Sequence, residues 1–167
     1  SSVAVSPASS TIYTITGTSS QGCISTSTET VTIIPCNSIV YLKLFIEGYY
    51  IGSGLMNAVL LNQGEISTAT ACDSIDVQLR NKNSPYNIIA SVRTILNQDG
   101  NATCIFPALN DDYYLAVFHR NALQTWSALP IYVGGSSVNY NFTNASTKAY
   151  GNNMNEPTII TAFQSPD

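Results

Sequence analysis

The sequence predicts an all-β protein, built as a sandwich with an extra β-hairpin at its N-terminal end. Apolar and polar residues alternate along many short segments, which is the period of a half-buried strand. Gly, Pro, Asn and Asp separate these segments, as is typical of the turns in a sandwich. Helical periodicity is weak, and only residues 55–63 are expected to hold a helical turn.

The first 35 residues predict a partial domain of their own. Nearly half of them are Ser or Thr, and Glu29 is the single charged residue. Two β-patterned segments lie at 11–16 (TIYTIT) and 30–34 (TVTII), with a hairpin loop expected over 17–28. Two strands alone are marginal in water, so we expect this hairpin to need a partner sheet. It is interpreted as the last hairpin of a sandwich whose earlier strands lie outside this chain.

A complete sandwich is expected over residues 36–150. Three strands show apolar faces by alternation, and these faces comprise Val40, Leu42, Leu44 and Ile46; Ile75, Val77 and Leu79; and Ala102, Cys104 and Phe106. Further strands are expected over 86–96, 113–119, 129–133 and 138–142. Asp99-Gly100 is a favoured hairpin corner, and Asp111-Asp112 is predicted to be an acidic turn. Residues 151–167 are expected to form a tail or linker, with one further strand possible over 158–163.

The low charge content favours an extracellular module. Charged residues make up 10% of the chain, compared with about 25% in an average soluble protein. The net charge is −4 with six Lys and Arg residues and no basic run, so a nucleic-acid partner is not expected. No apolar run approaches the roughly 20 residues of a membrane-spanning helix, so membrane insertion is not expected.

Four cysteines, Cys23, Cys36, Cys72 and Cys104, allow three disulfide pairings. We predict Cys23–Cys36 and Cys72–Cys104, and the alternative is that some of them are buried thiols. A structural zinc site is disfavoured, because there is no C-x-x-C pair and His119 is the only histidine.

The candidate catalytic residues predict that the chain is not an enzyme and holds no cofactor. His119 would have to serve any catalytic triad, but it lies in register with Leu115 and Val117, as a structural histidine at a strand end would. Glycoside hydrolysis needs two carboxylates on facing positions. Glu47, Glu65, Asp73 and Asp76 are candidates because they are acidic, but no spacing pattern pairs them. A hydrolase with an unusual site is the open alternative.

Two kinds of surface site are candidates. Trp126, the only tryptophan, could form a ligand-stacking cluster with His119 and Arg120, although a core Trp is the alternative. N-x-[ST] sequons place candidate glycosylation sites at Asn101, Asn141 and Asn144.

The order of strands after residue 75 resembles the transthyretin-like and Cna-B-like modules of bacterial surface stalks. In those modules a D-x-G-x-x-x-F … G-x-Y-x-L-x-V run marks two adjacent central strands. The residues that fit this pattern are Asp99, Gly100, Phe106, Tyr114, Leu115 and Val117. The usual Gly of the intervening loop is absent. The resemblance implies an Ig-like or transthyretin-like sandwich.

A second resemblance runs the length of the chain. The segments 44–50 (LFIEGYY), 60–64 (LLNQG), 119–127 (HRNALQTWS), 141–143 (NFT) and 149–154 (AYGNNM) are similar to a C-proximal module of large, type IX-secreted bacterial surface proteins. In that family an Ig-like hairpin of the kind seen at 13–33 often precedes the module. Asp73-Ser74-Ile75 resembles the D-[ST]-aliphatic O-glycosylation motif of that bacterial group, which makes Ser74 a candidate acceptor.

These observations predict a non-catalytic structural or adhesive surface module. It would be a possible filament subunit that assembles with copies of itself, or with adjacent domains of the same protein, by strand or hairpin exchange. The alternative is a carbohydrate-binding module of a secreted multidomain protein.

Overall fold

The computed structural model describes residues 3–33, 37–65, 68–135 and 137–152. Over these residues the chain is mostly β-strand, which confirms the predicted all-β, sandwich-like class. It divides into two compact units, Ser1–Pro35 and Cys36–Asp167. In the part of the chain that the structure describes, no helix has the length and apolar character needed to cross a membrane.

The first unit is a two-stranded antiparallel hairpin of β1 (Thr11–Thr18) and β2 (Ile24–Val31). A tight turn joins them, in which the Ser19 amide donates to the Cys23 carbonyl over 2.9 Å. The second strand was predicted at 30–34, which is wrong, because it begins at Ile24. The Ser and Thr residues after Ile24 suggest a loop by composition, but their alternation pairs them with β1 residue by residue.

One face of this hairpin consists only of β-branched residues. Both residues of every second cross-strand pair lie on it, and all eight side chains are exposed. We call it the Ile/Thr face, and it comprises Ile12, Thr14, Thr16, Thr18, Ile24, Thr26, Thr28 and Thr30.

The second unit contains two main sheets. The strands are β3 (Asn37–Lys43), β4 (Tyr50–Gly52), β5 (Leu55–Met56), β6 (Ala71–Asn81), β7 (Ile88–Asn97), β8 (Asn101–Pro107), β9 (Asn110–His119), β10 (Ala122–Trp126), β11 (Ile131–Gly134) and β12 (Ser137–Asn141). A five-stranded sheet has the order β10-β9-β6-β7, with β11 also paired to β9. A three-stranded sheet has the order β12-β3-β8, in which β12 runs parallel to β3. Strands β4 and β5 form a small hairpin of their own.

Short helical segments connect the strands. The α-helix α1 (Val59–Asn62) lies within the expected range 55–63. Single 3₁₀ turns lie at Glu47–Tyr49, Phe142–Asn144, Ser146–Lys148 and Tyr150–Asn152.

The core lies between the two main sheets. Every residue of the three predicted apolar faces is buried, but β3 ends at Lys43, and beyond it Leu44, Phe45 and Ile46 are all buried without alternation. The largest fully buried side chains from both sheets include Val40, Leu42, Ile75, Val77, Leu79, Leu96, Phe106, Leu115 and Val133. Phe142, after β12, closes the same cluster. Because inward and outward residues alternate along β6, Ser74, Asp76, Gln78 and Arg80 face away from the core.

Two local predictions are wrong. Asp111 and Asp112 lie inside β9 and pair with β11, rather than forming a turn. Lys82 lies 2.5 Å from Asp111 and 3.7 Å from Asp112, so it compensates the two charges that a strand would otherwise expose side by side. The strand β10 was not expected, because its sequence ALQTW alternates only weakly.

The hairpin corner at Asp99-Gly100 is confirmed. Gly100 has φ of 83°, in the left-handed region, and a Cβ there would lie 2.6 Å from the Leu44 carbonyl oxygen. Glycine therefore lets the β7–β8 corner pack against the end of β3.

The predicted Cys72–Cys104 disulfide is wrong, because both cysteines are buried free thiols. Cys72 lies on β6 of the five-stranded sheet with its Sγ 4.0 Å from Met56 Sδ, whereas Cys104 lies on β8 of the three-stranded sheet opposite Val40. Burial raises the pKa of each thiol to about 12. Cys23 is exposed in the β1–β2 turn, and its predicted partner Cys36 lies outside the described residues, so that pairing stays a prediction.

We expect Cys72 and Cys104 to resist iodoacetamide in the folded protein at pH 8, because buried thiols with raised pKa values supply almost no accessible thiolate. After unfolding in guanidinium without a reductant, both should be alkylated completely, as read by peptide mass spectrometry. If both cysteine peptides are labelled only after a reductant is added, the Cys72–Cys104 disulfide is present and the free-thiol assignment is contradicted.

Candidate functional site

A single carboxylate, Asp73, occupies a position that the strand pattern reserves for apolar side chains. It precedes Ile75, Val77 and Leu79 on the core-facing side of β6, and it is 1% exposed. The pairing of β6 with β7 shifts register between Ala71 and Asp73. Asp73 therefore lies where the regular sheet ends, at the margin of the core.

Four donors satisfy this buried carboxylate. The Ser74 amide donates to Oδ1 over 2.7 Å, and the Tyr49 hydroxyl donates to Oδ2 over 3.3 Å. Oδ2 also accepts from His119 Nε2 over 3.1 Å and from Arg120 Nε over 2.9 Å. These donors come from the 3₁₀ turn after β3, from β6 itself, and from the end of β9. The carboxylate therefore ties three separate parts of the chain together.

A second layer of contacts holds the donors in place. The Asn121 amide donates to His119 Nδ1 over 3.1 Å, and its side-chain Nδ2 donates to the Tyr49 hydroxyl over 2.7 Å. The Tyr49 and His119 rings meet edge to face, with centroids 5.3 Å apart. Arg120 also donates to Gln63 Oε1 over 3.3 Å. We call Tyr49, Asp73, His119, Arg120 and Asn121 the Asp73 network.

The contacts of His119 define its protonation. Nδ1 accepts a hydrogen bond from a backbone amide, so the ring proton lies on Nε2 and is donated to Asp73. Burial lowers the pKa of His119, and the hydrogen bond that its ring donates to Asp73 only partly offsets this, so the ring is neutral at pH 7. The side chain is 3% exposed.

Asp73 itself stays charged. Burial alone would raise its pKa, but the hydrogen bonds from the Ser74 amide, Arg120 and His119 outweigh burial and lower it. Arg120 is the cation of the network, with Nη2 2.8 Å from Oδ2 and half of its side chain in solvent. Burial, followed by the charge of Asp73, raises the pKa of Tyr49.

This arrangement holds a charge in place and leaves His119 without a free nitrogen. In a catalytic triad one ring nitrogen faces the carboxylate and the other accepts a proton from the nucleophile. Here the second nitrogen is occupied by the Asn121 amide. The geometry agrees with a structural histidine at a strand end.

An open pocket of about 580 Å³ borders the network. Its floor is the outer face of the five-stranded sheet, with Ser74, Asp76, Arg93 and Phe118, and one wall comes from α1 and the residues after it. Of the four carboxylates considered for hydrolysis, Glu65, Asp73 and Asp76 line this pocket, whereas Glu47 is not among its lining residues.

The predicted stacking cluster of Trp126, His119 and Arg120 is wrong. Trp126 is 3% exposed, so its ring offers no surface to a ligand. It packs against Tyr86 and Tyr114, with Arg80 5.3 Å from its ring centroid. His119 and Arg120 belong instead to the Asp73 network. The alternation of β10 turns Trp126 to the outer face of the sheet, where these long side chains cover it.

The four glycosylation candidates lie in different surroundings. Asn101 is exposed at the start of β8, and Asn144 is exposed in a 3₁₀ turn. Asn141 is half-buried and accepts from the amide and the hydroxyl of Thr143, which is buried. Ser74 is half-buried on β6 and lines the pocket. The exposed asparagines are the more accessible acceptors, and glycosylation at all four sites stays a prediction.

Asp73 and His119 were candidates from the sequence, but no sequence pattern connects them, and Tyr49, Asn121 and Gln63 were not predicted. One signal was available, because Asp73 continues the apolar alternation of Ile75, Val77 and Leu79. A carboxylate in such a position requires buried donors. The Tyr49 and Asn121 contacts depend on tertiary structure and carry no local pattern.

Comparison with known proteins gives no further identification. No family model matches the chain, and neither a curated protein nor a solved structure matches it significantly. Within the described ranges, no group of three or more His, Cys, Asp or Glu side chains is arranged to hold a metal ion.

We expect Asp73→Asn to lower the free energy of unfolding by about 3–5 kcal/mol at pH 7, because it removes the charge that the buried donors surround. Asp76→Asn, which breaks the exposed Arg93 pair on the same strand, is the matched control and should lose much less. Urea unfolding of both variants measures the difference, and equal losses would contradict a special role for Asp73.

The stability of wild type and of Asp73→Asn, measured as a function of pH, tests the charge of Asp73. Because the pKa of Asp73 is lowered by folding, its stabilisation is present above the unfolded value of about 4 and is lost as the pH falls through the lowered pKa. The stability difference between wild type and Asp73→Asn should therefore shrink over that range. A difference that stays constant would mean that the charge of Asp73 does not contribute.

Proposed function

We propose that the chain is a non-catalytic structural or adhesive module of an extracellular surface protein, of the Ig-like or transthyretin-like sandwich class, and that copies of it associate through the N-terminal hairpin. The observation that carries the proposal is the exposed Ile/Thr face of that hairpin. The bacterial type IX-secreted setting and the cell-surface location rest on the resemblance and on the low charge content.

The hairpin exposes apolar side chains that a stable isolated sheet would cover. Ile12 and Ile24 are 68% and 69% exposed at the two ends of the Ile/Thr face, and Ile15 is 59% exposed on the opposite face. Tyr13 and Val31 on that opposite face are half-buried. A two-stranded sheet of this kind is marginal in water, so pairing with another sheet would stabilise it.

The hairpin also lacks the features that keep strand edges from pairing. Its strands carry one charge, Glu29, and no Pro, and strand edges that resist association usually carry Lys, Pro or a bulge. Eight cross-strand pairs continue without a register shift from Thr11 to Thr18. A long, regular strand edge with so little charge is the kind of template to which another strand adds.

The sandwich offers an edge that could receive such a hairpin. Among the described strands β7 pairs with β6 alone. Its N-terminal half exposes Ile88 and Ile89 by 52% and 42%, and its first charge comes at Arg93. We therefore place the receiving edge at residues 88–92 of a second copy.

The absence of catalysis is part of the proposal. It is supported by the geometry of His119, whose two ring nitrogens are both engaged. It is supported as well by Asp73, whose buried carboxylate is filled by hydrogen-bond donors rather than presented free to a substrate.

Sedimentation velocity of the full chain over a concentration series tests the association. The variant Thr16→Lys/Thr26→Lys places two charges opposite each other at the centre of the Ile/Thr face. The matched control is Ile51→Lys/Leu55→Lys, which adds the same charge at exposed positions of the β4–β5 hairpin. Wild type and control should form larger species as concentration rises, and the hairpin variant should stay monomeric. A wild type that is monomeric throughout, or a control that is equally affected, would contradict the proposal.

Hydrogen–deuterium exchange at low and high concentration locates the contact. Amides of β1, β2 and residues 88–92 should gain protection together as the protein associates. Protection of the hairpin without any change at 88–92 would place the receiving surface elsewhere.

A further inference from the structure

We propose that the pocket beside the Asp73 network binds a neutral oligosaccharide. The pocket was not predicted from the sequence, and it is independent of association through the hairpin. Its volume of about 580 Å³ lies within the range of about 300–1,000 Å³ that is usual for small-molecule sites.

The floor of the pocket is a row of three side chains on adjacent strands. Arg93 on β7 pairs with Asp76 on β6, and Asp76 pairs with Phe118 on β9. The Arg93 guanidinium donates to both oxygens of Asp76, over 2.8 Å and 2.6 Å. Such a two-point contact fixes both planar groups, and it leaves guanidinium N–H groups and carboxylate lone pairs for a ligand. The Phe118 ring beside them adds an apolar surface.

On the wall formed by α1 and the residues after it, Leu60 adds a second apolar surface and Gln63 adds an amide. Gln63 is held by Arg120, which is held in turn by the buried Asp73. The polar groups of this wall are therefore positioned by the core rather than by solvent. Fixed donors and acceptors around a partly apolar pocket are what an orienting small-molecule site requires.

The charges select the class of ligand. Arg93 and Arg120 each face a carboxylate, Asp76 and Asp73, and Glu65 also lines the pocket, so the pocket has no surplus positive charge to attract an anion. The Asp73 oxygens are already filled by four donors, so they are not free for a metal cation. Fixed planar polar groups next to an aromatic ring suit a sugar, whose hydroxyls form paired hydrogen bonds and whose C–H face packs on the ring.

Saturation-transfer NMR and calorimetry of the full chain test this inference. The neutral probes are cellotetraose, mannotetraose, xylotetraose and chitotetraose, and the charged probes are tetragalacturonic acid and inorganic phosphate. We expect at least one neutral probe to bind, and Arg93→Gln to weaken it at least tenfold. Arg93 is 71% exposed, so this variant should keep its fold.

Two further variants complete the test. Phe118→Ala should also weaken binding at least tenfold, and circular dichroism checks that it is folded. Lys82→Gln, which breaks the exposed ion pair with Asp111 away from the pocket, should bind as wild type does. The inference is overturned if none of the neutral probes binds, if only the charged probes bind, or if Arg93→Gln binds as tightly as wild type.

Discussion

A carboxylate that is 1% exposed needs hydrogen-bond donors around it, and Asp73 obtains them from three parts of the chain. Tyr49 comes from the turn after β3, Ser74 from β6, and His119 with Arg120 from the end of β9. Displacing one of these segments would leave a buried charge with fewer donors. The network therefore holds the turn after β3 and the end of β9 in position at this end of the sandwich. The wall of the pocket depends on it too, because Arg120 connects Asp73 to Gln63.

The rest of the second unit follows from period-two burial. Core-facing residues of β6 and β9, such as Val77 and Leu115, pack against those of β3 and β8. The outward residues of β6 and β9, with Arg93 of β7, form the floor of the pocket. Asp73 and Asp76 lie three residues apart on β6, so their side chains point to opposite faces of the sheet. The first enters the core and becomes structural, and the second faces outward and stays available to a ligand.

The sequence was sufficient where burial follows alternation, as at Val40 and Leu42, and where a turn needs Gly100. It failed where tertiary pairing decides. Strand β2 is almost without apolar residues, so only its cross-strand partners show that Ile24–Val31 is a strand. Asp111 can lie within a strand because Lys82, in the segment between β6 and β7, forms an ion pair with it. The sequence around Cys72 and Cys104 does not show whether they form a disulfide or are buried thiols. The Asp73 network joins residues that are far apart in sequence, so no local pattern predicts it.

The central claim, that a charged Asp73 is held by a neutral His119, is tested most directly by ¹⁵N NMR of the histidine ring at pH 7. His119 is the only histidine, so its ring signals need no assignment among others. The account predicts a neutral ring with the proton on Nε2 and an unprotonated, hydrogen-bonded Nδ1. A doubly protonated ring, or a neutral ring with the proton on Nδ1, would contradict it.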